Sequence, residues 1–208
     1  MKSLLKKILL ISLASTLYTT SQPIMAAPSQ TSNPQQTEQI QKLQDYLNGI
    51  KTLRADFTQT NPNKTTSLGK MYVKRLGNDS FGKLRLEYAP PTNDKIIADG
   101  EILRHEDGAS RDISEYSIDN TPASFLLRHK IDFSDDLEVK NLETKGDKVY
   151  LTVVRPGDDG VTLTLIFVTA PLLRLQEWSL VDAQSNTTHV VLDNVEIGVP
   201  LDENLFKF

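Results

Sequence analysis

Gly69-Lys70-Met71-Tyr72-Val73-Lys74-Arg75 decides how the rest of the chain reads. Its apolar members fall on every second position, with Lys70, Tyr72 and Lys74 between them. Successive strand side chains point to opposite faces, so this is a strand with one buried face and one solvated face. The same period runs outward in both directions. Leu53, Ala55 and Phe57 alternate with Arg54, Asp56 and Thr58, and Leu84, Leu86 and Tyr88 alternate with Lys83, Arg85 and Glu87. Further on come Val149, Leu151 and Val153; Val161, Leu163, Leu165 and Phe167; Leu173 and Leu175; and Val190 and Leu192. Turn signals separate the runs: Leu76-Gly77-Asn78-Asp79, Asp99-Gly100, Asp107-Gly108 and Pro156-Gly157-Asp158-Asp159-Gly160. About ten antiparallel strands are expected from this pattern.

Two segments keep a different period. Asn33 is placed to cap a helix opened by Pro34, with Gln36 in the capping-box position. Ile40, Leu43, Leu47 and Ile50 then recur at helical spacing, and the helix should end near Gly49. In mid-chain, Thr121-Pro122 starts a short helix through Ala123-Ser124-Phe125-Leu126-Leu127. A meander this long curls because sheets twist and hide their edges. The expected fold is mainly β with α: an incomplete antiparallel barrel with a helical plug or lid.

The first residues stand outside that fold. Lys2, Lys6 and Lys7 precede a short apolar run from Ile8 to Leu17, and Ile24-Met25-Ala26 offers a small-residue cleavage site. Residues 1–26 read as a secretory signal peptide, 27–32 as a polar tether, and 33–208 as a single domain. Removing the leader takes away three lysines and no acid, leaving 20 basic against 27 acidic residues, a net charge near −7. Such a surface repels phosphate backbones, so nucleic acid is not the expected partner. The chain has no cysteine, which excludes disulfides, thiolate metal sites and thiol catalysis. His105, His129 and His189 lie outside metal-ligand spacing of one another and are expected at the surface or rim. There is no nucleophile elbow, P-loop or dinucleotide fingerprint, and Asp158-Asp159 is explained as part of a hairpin turn. Neither an enzyme nor a cofactor or metal is expected.

Arg75 shares the parity of Met71 and Val73. Either it turns inward, where its five donors must be satisfied, or the strand ends first and the side chain leaves for solvent.

The order of these motifs resembles the LolA family of periplasmic lipoprotein carriers. The likeness rests on Ala55-Asp56-Phe57-Thr58-Gln59, the strand Gly69 to Arg75, Leu84-Arg85-Leu86-Glu87-Tyr88 and Ile97-Ala98-Asp99-Gly100. It continues through Asn120-Thr121-Pro122 with Phe125-Leu126-Leu127, and Asn204-Leu205-Phe206-Lys207-Phe208. The resemblance implies a monomeric carrier with a lid over an apolar cavity. It would take lipoproteins by their acyl chains from an inner-membrane ABC transporter and hand them to an outer-membrane, LolB-like acceptor where one exists. It implies that Arg75 bonds to the lid near Thr121–Leu127 and holds the empty carrier closed. Met71, Val73, Leu84, Leu86, Leu163 and Leu165, with Phe125, Leu126 and Leu127 of the lid, are the expected cavity wall. The chain departs from the family pattern at Leu76, where a proline is usual, in the extra loop Gly77–Gly82, and at Leu86 and Leu103, where aromatic residues are common. A binding module of the same fold for another lipid or a regulatory partner is the alternative.

Each buried methylene is worth about 0.8 kcal/mol, so a chain of ~15 methylenes resists water by roughly 12 kcal/mol. A carrier must therefore cover such chains and still release them. A continuous apolar cavity favours transport; a filled core counts against it.

Overall fold

The computed structural model describes residues 33–77, 80–121, 124–134, 137–157 and 160–208; the expected signal peptide, the tether and the pair Asp158-Asp159 lie outside them. Helix α1, Pro34–Gly49, opens with the Asn33 side chain accepting from the Gln35 amide at 3.1 Å. Leu43 and Leu47 of its apolar stripe are buried, and Ile50 caps the end.

Six strands follow: β1 Thr52–Thr60, β2 Thr66–Lys74, β3 Lys83–Tyr88, β4 Lys95–Ala98, β5 Ile102–Glu106 and β6 Ile113–Ser117. A 3-10 turn at Ile118–Asn120 and the short helix α2, Ser124–Leu127, come next. The chain then forms β7 Glu138–Lys145, β8 Lys148–Val154, β9 Thr162–Val168, β10 Arg174–Val181 and β11 Thr187–Ile197, and a 3-10 turn at Glu203–Phe206. The described residues thus hold eleven strands, one more than the sequence suggested. Their order is β6-β5-β4-β3-β2-β1-β11-β10-β9-β8-β7, all antiparallel.

That order explains the rest of the architecture. Strands β1 and β11 pair at the centre, Phe57 opposite Leu192 and Thr58 opposite Val191, and join two meanders into one sheet. Strands β6 and β7 are consecutive in the chain but stand at opposite edges of the sheet. The segment between them, residues 118–137, connects those two edges. A sheet this wide curls, and the crossing segment lies in the hollow with α1. Phe125, Leu127, Ile131 and Phe133 of the segment join Leu43 and Leu47 of α1 and the inward residues of the strands in one core.

Two details tune the inner face. Gly69 sits between Phe57 and Tyr88 in register, and those rings meet edge to face with centroids 5.1 Å apart. A Cβ at Gly69 would stand 2.4 Å from the Phe57 ring and from the Glu87 carbonyl, so only glycine leaves room. In β10 a bulge between Leu175 and Glu177 shifts the alternation. Leu175 pairs with Phe167, yet Trp178 pairs with Leu165, so Trp178 also faces inward. On the convex side, Phe206 is buried, Glu203 binds Lys74 and Lys83, and Arg85 donates to the Leu205 carbonyl at 3.0 Å. These contacts fasten the C-terminal turn beneath β2 and β3.

Candidate functional site

Arg75 follows the last residue of β2 and still turns inward; it is 7% exposed. Its Nε donates to the Arg128 carbonyl at 2.8 Å, and Nη2 donates to the same carbonyl and to that of His129 at 3.0 Å. Nη1 donates to the Leu47 carbonyl at 2.7 Å, and Nη2 also reaches Asn48 Oδ1 at 3.3 Å. The acceptors on the crossing segment are thus the two residues just past Leu127. Among the described residues no carboxylate pairs with Arg75. Its charge is met by carbonyl oxygens, one at the C-terminal end of α1, where the helix dipole favours a cation and the last turn supplies none. Burial lowers the Arg75 pKa from its ordinary value, a shift that leaves a guanidinium charged.

Other polar contacts work beside it. Asn48 accepts from the Ile131 amide and donates to the Ile131 carbonyl, both at 2.9 Å, as a strand partner would. Gln44 accepts from the Phe133 amide at 2.8 Å. The Gly82 amide donates to the Leu127 carbonyl at 2.6 Å. Any Cβ at Gly82 would fall 2.8 Å from the Lys74 carbonyl and 3.0 Å from Arg75 Cα, so its close packing on the end of β2 requires glycine. These bonds from Arg75, Asn48, Gln44 and Gly82 all meet backbone groups of residues 127–133, whose apolar side chains pack in the core. Such bonds are individually modest, and water replaces them when the segment moves away.

Beneath the clip lies an apolar cavity of about 20 Å³. Met71, Val73, Leu126, Ile131, Leu175 and Trp178 are among the residues that line it. Its size suits little more than one water molecule. Pockets for small molecules measure about 300–1,000 Å³. An acyl chain fits only if the crossing segment leaves. The interior is closed and filled by the crossing segment, so the continuous apolar cavity expected of a carrier is not present in this state, and by that criterion the packing counts against transport unless the segment moves.

Of the residues expected in the wall, Met71, Val73 and Leu126 border the cavity. Leu84, Phe125, Leu127, Leu163 and Leu165 are buried in the packing around it, and Leu86 is partly buried against that core. Sequence reasoning missed Ile131, which belongs to the crossing segment beyond the short helix, and Leu47 and Ile50 of α1. It also missed Trp178, whose inward aspect depends on the bulge.

His105 corrects an expectation. It is 2% exposed on the inner face, and its Nε2 lies 3.1 Å from Asp94 Oδ2. Its parity with buried Leu103 points it inward, and the carboxylate supplies the partner that burial demands. Nearby, Tyr88 donates to Gln59 Oε1 at 2.9 Å; burial and the Asp94 charge push its phenol well above the usual range. His129 is exposed, and half-buried His189 pairs with Glu177 at 2.9 Å. Among the described residues no cluster of His, Asp and Glu could hold a metal ion, and no helix is long and apolar enough to cross a membrane.

The fold and site define a class: an open antiparallel sheet whose apolar hollow is closed by its own crossing segment. The family described as outer membrane lipoprotein carrier protein LolA matches residues 48–208. The chain belongs to the LolA family. A relative in Cupriavidus necator, named outer-membrane lipoprotein carrier protein, is 26% identical over 174 residues, covering 80% of this chain and 82% of its own. Another of that name, from Methylococcus capsulatus, is 23% identical over 176 residues, covering 80% and 81%. Among solved structures, a DUF1329 family protein from Desulfovibrio piger superposes with a TM-score of 0.52 at 10% identity, covering 83% of this chain and 96% of that one. That likeness concerns the fold alone.

Proposed function

We propose that the chain is a periplasmic carrier that takes lipoproteins by their acyl chains and moves them from the inner to the outer membrane. It is not an enzyme in this reading, and it acts as a single domain and a monomer. The observation that carries the proposal is the lid. An apolar segment fills an apolar hollow and is held there by an arginine bonded to its carbonyls.

In the loaded state the lid lifts, and acyl chains lie between its apolar face, Leu126 included, and Met71, Val73, Leu163, Leu165 and the other inward side chains of the sheet. Apolar contact is exchanged for apolar contact, so the net change is small and the cargo can be released. Closing the lid restores the Arg75 bonds and helps expel the ligand. An inner-membrane ABC transporter supplies the cargo, and an outer-membrane, LolB-like acceptor receives it.

Native mass spectrometry of protein recovered from the periplasmic fraction tests this. The expected spectrum shows a polypeptide beginning at Ala27, with part of the population carrying a triacylated polypeptide. Protein retaining Met1 in the membrane pellet would overturn the localisation. Free lipid as the only adduct would favour the alternative, a module for another lipid.

A further inference from the structure

Arg75 reaches the lid from β2, in the first half of the sheet. A second arginine reaches it from the other half. Arg155 directly follows β8. Its Nη1 donates to the Asp119 carbonyl at 2.7 Å, and its Nη2 donates to Ser124 Oγ at 2.6 Å. Asp119 lies in the 3-10 turn after β6, whereas Ser124 is the first residue of α2 and is 1% exposed. One guanidinium therefore spans the bend between the two elements.

The part of the lid that it grips is already a unit. The Thr121 amide and hydroxyl both donate to the Ile118 carbonyl, at 3.0 and 2.7 Å, and the Ser124 amide donates to the Thr121 carbonyl at 3.1 Å. Ile118, Thr121 and Ser124 are all buried. Arg75, Asn48 and Gln44 hold a different stretch, residues 128–133. The lid thus has two grips at its two ends, and they come from β8 and β2, on opposite sides of the central β1–β11 pair.

We propose that Arg155 is a second fastener of the lid, which secures its first half to the β7–β11 side; Arg128 Nη2, 3.6 Å from Asp119 Oδ1, links that half to the stretch held by Arg75. Arg155 is a positioning residue here: it acts on the lid and touches no cargo. The proposal rests on reading residues 118–133 as a movable lid. Its consequence is that the lid is stretched between the two halves of the open sheet. Splaying the halves strains both grips, and loss of either arginine acts first on the end that it holds. The Arg155 bonds are fewer and more exposed than those of Arg75, so the first half of the lid is the end that frees more readily.

The chain has no cysteine, so one introduced thiol gives a clean readout. Maleimide labelling rates are measured on the full mature chain with single substitutions Phe125→Cys, Ile131→Cys or Leu165→Cys. These sites sample the first half of the lid, its second half and the sheet wall, and all are at most 5% exposed. Adding Arg155→Leu should speed labelling of Phe125→Cys by about tenfold, as expected for loss of two charge-assisted bonds, while the other two sites stay within about twofold. Adding Arg75→Leu should act chiefly on Ile131→Cys. Ser124→Ala removes only the hydroxyl acceptor and should give the Arg155→Leu pattern at smaller amplitude. Unchanged labelling of Phe125→Cys in Arg155→Leu would refute the second fastener. So would a rise at all three sites together, which marks general loosening. Labelling needs no cargo, so failure here leaves acyl-chain carriage standing, and absence of acylated cargo in the mass spectrum leaves the fastener standing.

Discussion

Arg75→Leu should load acylated cargo as well as the parent and fail to hand it on. The substitution keeps apolar bulk and removes donors to the carbonyls of Arg128, His129 and Leu47. Hydrogen bonds to a charged group are worth about 1.5–3 kcal/mol each. Much of that is regained when the freed carbonyls meet water, so a net loss of roughly 3 kcal/mol from the closed state is reasonable. Since about 1.4 kcal/mol is a factor of ten, the open form should gain about a hundredfold over the closed one. An open lid admits acyl chains, so uptake survives. Handover suffers because closure no longer helps to expel the ligand. Arg75→Lys should restore only part, because an ammonium is a point charge and cannot engage several carbonyls in one plane. The measurement is a two-step transfer: uptake from inner-membrane vesicles, then delivery to the acceptor. Parent-like rates in both steps would leave Arg75 as a structural residue only.

Leu126→Glu should weaken acyl-chain binding by at least about tenfold, since placing a carboxylate against an apolar ligand costs several kcal/mol. Stability should fall by less than about 1 kcal/mol, because Leu126 is half-buried and a glutamate there can turn its head to solvent. The neighbouring Leu127 has no exposed surface. Leu127→Glu should therefore destabilise the fold by more than about 4 kcal/mol, as an unpaired buried charge does. Urea unfolding set beside binding of a fluorescent triacylated lipopeptide separates the two behaviours. Equal losses of stability and binding in Leu126→Glu would make that residue ordinary core.

The contrast between these neighbours shows where sequence reading stops. Alternation placed Met71, Val73, Leu84 and Leu165 on the inner face, and each is buried there. Asn33 and Pro34 marked the start of α1 because capping is a local matter, settled within one turn. Arg75 was legible from parity with Met71 and Val73 together with the family likeness; parity alone left the surface reading open. Which inward residues border the cavity was not legible, because core and wall share one period. Trp178 was hidden by the β10 bulge, since one extra residue reverses parity without changing composition. That residues 118–137 connect opposite edges of the sheet follows from the strand order, a fact of pairing that no local pattern carries. The same holds for the grips of Asn48, Gln44 and Arg155, whose partners are far away in the chain.

Acyl chains that enter the space now filled by the lid must come against Trp178. Trp178 is the chain's only tryptophan, and it lines the cavity and meets Phe125 of the lid edge to face, with centroids 6.4 Å apart. Bromine quenches indole fluorescence only at close range. A triacylated lipopeptide brominated along its acyl chains should therefore quench Trp178 on binding, whereas the same lipopeptide without bromine should not. Binding confirmed by mass spectrometry with Trp178 emission unquenched would place the cargo outside the hollow.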